Sequence, residues 1–374
     1  MTRRDQPLFP CKEKIHYKIS GQSAFYISCI QVISFSNPRD GGVGKMTGGF
    51  LQNQWYAAAL SKEIFGKEPF ARKICGEDIV FFRKPKGEVS ALEDRCAHRH
   101  APLSLGSVEN GSIRCQYHGM LFDGSGQCVE VPGQEKIPSG ARIKSYPVAE
   151  QDGWVWIWIG KNGSQSVSTI PSFPYFDTAK WAGFQKYFHV QGAAQLFVDN
   201  LLDLSHLAFT HKSSIGSSSS AVAEPDMEVS VEGDVVRGRR YIYNVEPGPL
   251  IVKWGGFAGQ IDRCSDYVWR PPSVVEIESK FSDPTNKITI MVINPITPET
   301  DVTAHFWIGW SRDFDLDDEE LTKSAIVDNT RVIMEDVVMI EGQQRVISSR
   351  GSLQPIAIKA DRAVMTVQNV LKRL

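Results

Sequence analysis

Cys96-Ala97-His98 and, after 16 intervening residues, Cys115-Gln116-Tyr117-His118 constrain this chain more than any other feature. Each segment carries one Cys and one His. Each is followed by loop-forming residues, Arg99-His100-Ala101-Pro102-Leu103 after the first and Gly119-Met120-Leu121-Phe122-Asp123-Gly124 after the second. Two such loops at one end of a small domain bring together two thiolates and two imidazoles. A single zinc ion takes such a set in a tetrahedral site. Zinc fingers, however, usually pair Cys with Cys and His with His. One Cys and one His per loop suits a two-iron cluster, in which one iron takes both thiolates and the other both imidazoles.

The surrounding sequence reads as strands. Ile79-Val80-Phe81-Phe82 precedes the turn Lys84-Pro85-Lys86-Gly87, and Trp154-Val155-Trp156-Ile157-Trp158-Ile159 is rich in aromatic and β-branched residues. Gly and Pro punctuate at short intervals, which predicts a small all-β domain over 46–160. Residues 161–174 are rich in Ser, Gly and Pro and are expected to be a linker. Residues 175–374 are expected to form an α+β domain. It has helical periodicity over Gln195–His211, a Ser/Gly loop over Ser213–Ser220, strand alternation from about Glu228 to Ser311, and a closing helix from Asp317 to about Ile347.

The first 45 residues differ. Thr2-Arg3-Arg4, a broken apolar patch from Phe25 to Phe35 and Asp40-Gly41-Gly42-Val43-Gly44 make a poor export signal. They are expected to be a disordered extension, or to lie upstream of a true start at Met46. The balance of 41 Lys+Arg against 43 Asp+Glu lacks the basic excess of a nucleic-acid binder, and no apolar run reaches the ~18 residues of a membrane span. Seven Cys argue against a disulfide scaffold. Cys11, Cys29, Cys75, Cys128 and Cys264 lack matching partners and are expected to be plain thiols.

A second constellation runs from Asn200 to His211. Asn200, Asp203 and His206 are three apart and share one stripe if the segment is helical. A carboxylate beside an imidazole is what a metal-ligating His needs as an outer partner. His211 lies about 140° further round, so the helix must end, bend or bulge for both His to meet one ion. Two His on an apolar helix are by themselves more often packing residues, but the Cys/His loops upstream favour a metal. A triad with open positions also needs a carboxylate. The late helix has an apolar stripe of Ile326, Thr330, Ile333, Val337 and Ile340. Glu335 projects about opposite that stripe and is expected to face solvent. Asp336 lies about 80° from the stripe's centre and can turn inward.

The run Arg95–Leu103 with Cys115–Gly119, the Asn200–His211 segment and the run Glu335–Gln344 closely resemble the oxygenase components of Rieske non-haem iron oxygenases. The likeness spans roughly Phe50 to Gln344 and is strongest to the vanillate O-demethylase and dicamba O-demethylase class, which Leu51–Tyr56 and His305–Phe314 also fit. The resemblance implies an all-β Rieske domain followed by a helix-grip (START/Bet v1-like) α+β catalytic domain. It implies a [2Fe–2S] cluster on Cys96, His98, Cys115 and His118, and a mononuclear Fe(II) on His206, His211 and Asp336. Asn200 and Asp203 then support catalysis, with Asp203 bridging His118 of a neighbouring chain to His206 in a head-to-tail homotrimer. Electrons would come from NAD(P)H through a reductase or ferredoxin, in the cytoplasm, and O2 would hydroxylate or O-demethylate a methoxy-aromatic such as vanillate. N-demethylation or ring hydroxylation of another substrate is the nearest alternative; an electron-transfer-only Rieske protein would lack the second constellation. Phe197, Phe257, Ile293, His305 and Trp307 are candidate substrate-pocket residues, while His189 and His305 are each expected to be structural rather than metal-binding.

Overall fold

Short apolar runs between glycine turns build three antiparallel sheets in the first half of the structure, a computed structural model that describes residues 49–374 apart from 162, 164–165, 167–168, 177–178, 218–225 and 352–354. The expected extension over 1–45 and the end of the expected Ser213–Ser220 loop lie outside the described residues. The strands are β1 (Gln54–Leu60), β2 (Phe70–Ile74), β3 (Glu77–Arg83), β4 (Val89–Glu93), β5 (Ser107–Glu109), β6 (Ser112–Arg114), β7 (Leu121–Phe122), β8 (Cys128–Glu130), β9 (Ser145–Tyr146), β10 (Val148–Gln151) and β11 (Trp154–Ile159). They pair in the orders β1-β11-β10, β2-β3-β4-β9 and β5-β6-β7-β8. Val80, Phe82, Leu92, Leu103, Ile113 and Phe122 form a core beneath the two Cys/His loops, and Cys96 and Cys115 belong to it.

The second half is a seven-stranded antiparallel sheet carrying helices on one face. Its elements are β12 (Ala182–Val190), α1 (Ala194–Leu202), β13 (Asp226–Glu232), β14 (Val235–Val245), α2 (Pro249–Gly255), β15 (Ile261–Arg270), β16 (Val274–Ser282), β17 (Lys287–Pro298), β18 (Ala304–Arg312), α3 (Glu319–Arg350) and α4 (Arg362–Leu371). The strand order is β12-β18-β17-β16-β15-β14-β13. On the inner face Trp269, Val275, Ile277, Phe306 and Trp310 pack with Phe197 and Leu201 of α1, Val332 and Val337 of α3, and Val367 of α4. On the outer face Val274, Met291, Ile293 and Trp307 pack with Trp55, Trp154, Trp156 and Trp158 of the first half. Gly309 leaves the space there: a Cβ on it would meet Phe176 at 2.5 Å and Trp154 at 2.9 Å. Ile170 and Phe173, in the stretch read as a linker, are buried in the same layer.

Two corrections follow. Ile293 and Trp307 face away from the helices, and His305 bonds Tyr187 and the Lys73 carbonyl at 2.8 Å each, so these three cannot line a pocket between sheet and helices. Phe197 and Phe257 do lie on the inner side. The helix expected over Gln195–His211, with an end, bend or bulge between His206 and His211, instead breaks earlier. α1 ends at Leu202, Asp203 takes φ −102° and ψ 91°, and a tight 3-10 turn follows over Leu204–Ala208. The cause is the Asp203 carboxylate, which accepts from Ser205 N at 2.9 Å. Such a local bond competes with helix continuation and starts a new turn. Asn200, Asp203 and His206 therefore do not share a regular helical stripe.

Candidate metal centres

The two Cys/His loops have the same backbone scheme. Cys96 N donates to Ala101 O and Cys96 O accepts from His100 N; Cys115 N donates to Met120 O and Cys115 O accepts from Gly119 N, at 2.8–3.0 Å. The residue four past each Cys is left-handed, His100 at φ 60° and Gly119 at φ 74°. In the second loop a Cβ would also strike Pro132 at 2.8 Å, which glycine avoids. Arg114 braces that loop, donating to Gly119 O at 2.7 Å and pairing with Glu109 and Glu130. The thiols are buried and the imidazoles exposed, with the His98 and His118 ring centroids 4.6 Å apart. Burial, with Cys115 beside it, pushes the Cys96 thiol up, so its thiolate form calls for a cation. Buried sulfur paired with exposed nitrogen fits a two-iron cluster seated in the domain with its histidine-bound iron at the surface.

His206, His211 and Asp336 offer ligand atoms that all lie within 4.8 Å of one another. Asp336 Oδ1 is 3.5 Å from His206 Nε2 and 3.1 Å from His211 Nε2. Adjacent ligands held at ~2.1 Å and a right angle lie about 3 Å apart, so the spacing suits one ion. Both Nδ1 atoms are already engaged, His206 with Asp203 O at 2.5 Å and His211 with Glu335 Oε2 at 2.7 Å. That leaves both Nε2 atoms for a metal. Asn200 Nδ2 donates to Asp336 Oδ1 at 3.0 Å and orients it. Burial lowers the His206 pKa. At His211 burial also pulls down, but Asp336 and Glu335 outweigh it and hold the pKa above its usual value. The two carboxylates thus favour positive charge at His211.

Asp336 is 3% exposed, on a buried face made by Ala325, Asn329, Val332, Ile333, Val337 and Ile340. That face is rotated toward Asp336 relative to the stripe read from sequence. Glu335 is the correction: instead of facing solvent it bonds His211 and accepts from Ser214 Oγ at 2.7 Å. Neither Glu335 nor Ser214 was found by periodicity, although the need of a ligating His for an outer carboxylate was a usable signal. Glu335→Gln is expected to weaken iron retention roughly 10–100-fold with the cluster spectrum unchanged. Iron titration of the metal-free variant checks this, and wild-type affinity would contradict it.

The Rieske [2Fe-2S] domain family matches residues 54–147. The vanillate O-demethylase oxygenase C-terminal domain family matches residues 190–374. A putative toluene-4-sulfonate monooxygenase system iron-sulfur subunit from Comamonas testosteroni is 36% identical over 87% of this chain and 96% of its own length. The vanillate O-demethylase oxygenase subunit of Pseudomonas sp. strain HR199 is 34% identical over 87% and 95%. Dicamba monooxygenase bound to 3,6-dichlorosalicylic acid superposes with a TM-score of 0.81 at 30% identity, covering 87% of this chain and 97% of that one. Another structure of that enzyme holds non-haem iron and dicamba, with a TM-score of 0.74.

Proposed function

The chain belongs to the vanillate O-demethylase class of Rieske non-haem iron oxygenases, and from that premise we propose that it is a terminal oxygenase that O-demethylates or hydroxylates a small aromatic compound. In this reading Cys96, His98, Cys115 and His118 hold the [2Fe–2S] cluster, and His206, His211 and Asp336 hold the iron. The carrying observation is the convergence of both Nε2 atoms on Asp336 Oδ1.

Iron bound there supplies O2 activation, and the cluster supplies electrons one at a time. The protein's own part is positional. Glu335 and the Asp203 carbonyl fix both imidazole tautomers, Asn200 fixes the carboxylate, and the apolar inner face excludes water. For a methyl ether the balance is R–OCH3 + O2 + 2 electrons + 2 protons giving R–OH, formaldehyde and water. The electrons come from NAD(P)H through a reductase or ferredoxin, which places the reaction in the cytoplasm. Among the described residues no helix is long and apolar enough to cross a membrane.

A head-to-tail homotrimer joins the two centres. Leu105 and Tyr117 stand 66% and 61% exposed at the cluster tip, and Phe209, Met334 and Val338 are exposed beside the iron ligands. Apolar patches of this kind suit burial between copies. Metal analysis with a methoxy-aromatic acid screen tests the function. Iron in excess of labile sulfide, and formaldehyde formed in step with NADH use, are expected. Zinc without labile sulfide, or no oxygenated product from any aromatic, would overturn it.

A further inference from the structure

Two arginines point from neighbouring strands into the inner face of the catalytic sheet. Arg240 of β14 pairs with Ser265 of β15, and Arg263 of β15 pairs with Ile242, so the guanidiniums are diagonal neighbours. Arg240 is 7% exposed and Arg263 6%. Arg263 Nη1 touches Ile215 O at 3.4 Å, and its guanidinium lies 5.2 Å from the Phe281 ring centroid. Its Nε is buried without a hydrogen-bond partner. Among the described residues no carboxylate pairs with it. Burial, and then the like charge of Arg240, push its pKa down to about 10. A buried cation with no counter-charge is costly.

The surroundings supply more donors. Ser265 and Ser279 face each other across β15 and β16 with their hydroxyls 3.2 Å apart. The Tyr267 hydroxyl, on the same face of β15, is buried without a partner. This patch backs the segment that carries the iron ligands. Ile215 comes four residues after His211, and Arg240 donates to Leu204 O, two residues before His206, at 3.0 Å. With Nη1 turned to Ile215, the Nε edge of Arg263 is buried and Nε is left unpaired. That edge grips a carboxylate or sulfonate with two parallel bonds.

Resting on the oxygenase reading, we infer that Arg263 is the substrate anchor, binding the acid group of an aromatic carboxylate or sulfonate at the sheet wall beneath the His206–His211 segment. The substrate then brings the counter-charge that the fold withholds. A strut that merely holds Ile215 would not explain a buried, unpaired Nε.

Equilibrium binding to the metal-loaded enzyme tests the anchor, with 4-hydroxy-3-methoxybenzoate, toluene-4-sulfonate and the neutral 4-hydroxy-3-methoxybenzaldehyde as probes. The wild type should bind an acid more tightly than the aldehyde. Arg263→Gln should weaken acid binding roughly 10–100-fold and leave the aldehyde within about twofold, with iron and sulfide contents unchanged. Arg263→Lys should recover part of the loss. Equal weakening of acid and aldehyde would make Arg263 a strut. If the glutamine variant loses iron, the wild-type comparison decides: no preference for acid over aldehyde overturns the anchor. Oxygenation of neutral aromatics without an acid preference would sink this inference alone. The absence of mononuclear iron would sink the oxygenase reading instead.

Discussion

Asp336→Ala is expected to strip the mononuclear iron from the protein while leaving the visible spectrum of the cluster intact. Among the described residues Asp336 is the one carboxylate whose oxygen lies within reach of both His206 Nε2 and His211 Nε2. Glu335 cannot replace it, because its carboxylate is committed to His211 Nδ1 and Ser214 on the other side of the ring. Alanine leaves two neutral imidazoles and an Asn200 amide without its acceptor, a poor site for Fe(II). Cys96 and Cys115 belong to a separate core, so a cluster held there should not notice. Product formation should fall well beyond the ~10–100-fold that loss of an outer partner costs. Iron and sulfide analysis of the purified variant is the check. Iron persisting in excess of sulfide would place the ligand elsewhere.

Asp203→Asn is expected to keep both metals and the assembly yet lose roughly 100-fold in product formation, the upper end for a group beyond the ligands. Asparagine can still accept from Ser205 N, so the 3-10 turn survives, and the backbone carbonyl that holds His206 Nδ1 is untouched. Only the charge is lost. If Asp203 lies between one copy's cluster and the next copy's iron, reduction of the cluster by its donor should stay normal while its reoxidation by the iron site stalls. Single turnover from a pre-reduced cluster separates these steps. Normal cluster oxidation and product yield would remove Asp203 from the path.

The cluster loops were legible because their chemistry sits in fixed short spacings that no packing rearranges. Asp336 was legible through helical phase, since a long helix keeps its period even though the buried stripe turned out rotated. Glu335 was not, because periodicity reports which face is apolar and is blind to a polar group recruited by a buried histidine. The helix break at Asp203 escaped for a related reason: a single side-chain bond to Ser205 N overrode a segment otherwise rich in helix formers. Strand β12 went unread because it is an edge strand whose residues are half-buried on both faces, which erases the alternation. The arginines of β14 and β15 carry no sequence signal of their own; the pairing register puts them on the inner face.

The tryptophan layer between the two halves has a genetic consequence. Trp55, Trp154, Trp156 and Trp158 lock the first half onto the outer face of the sheet, while His206, His211 and Asp336 gather on the side of its inner face. If a chain so built cannot swing its cluster round to its own iron, then in a ring of the proposed kind each centre serves a neighbour. Two defective alleles should then rescue each other. Copies lacking the cluster through Cys96→Ser, co-expressed with copies lacking iron through Asp336→Ala, should yield mixed rings in which some junctions join an intact cluster to an intact iron, and activity should reappear from two inactive parents.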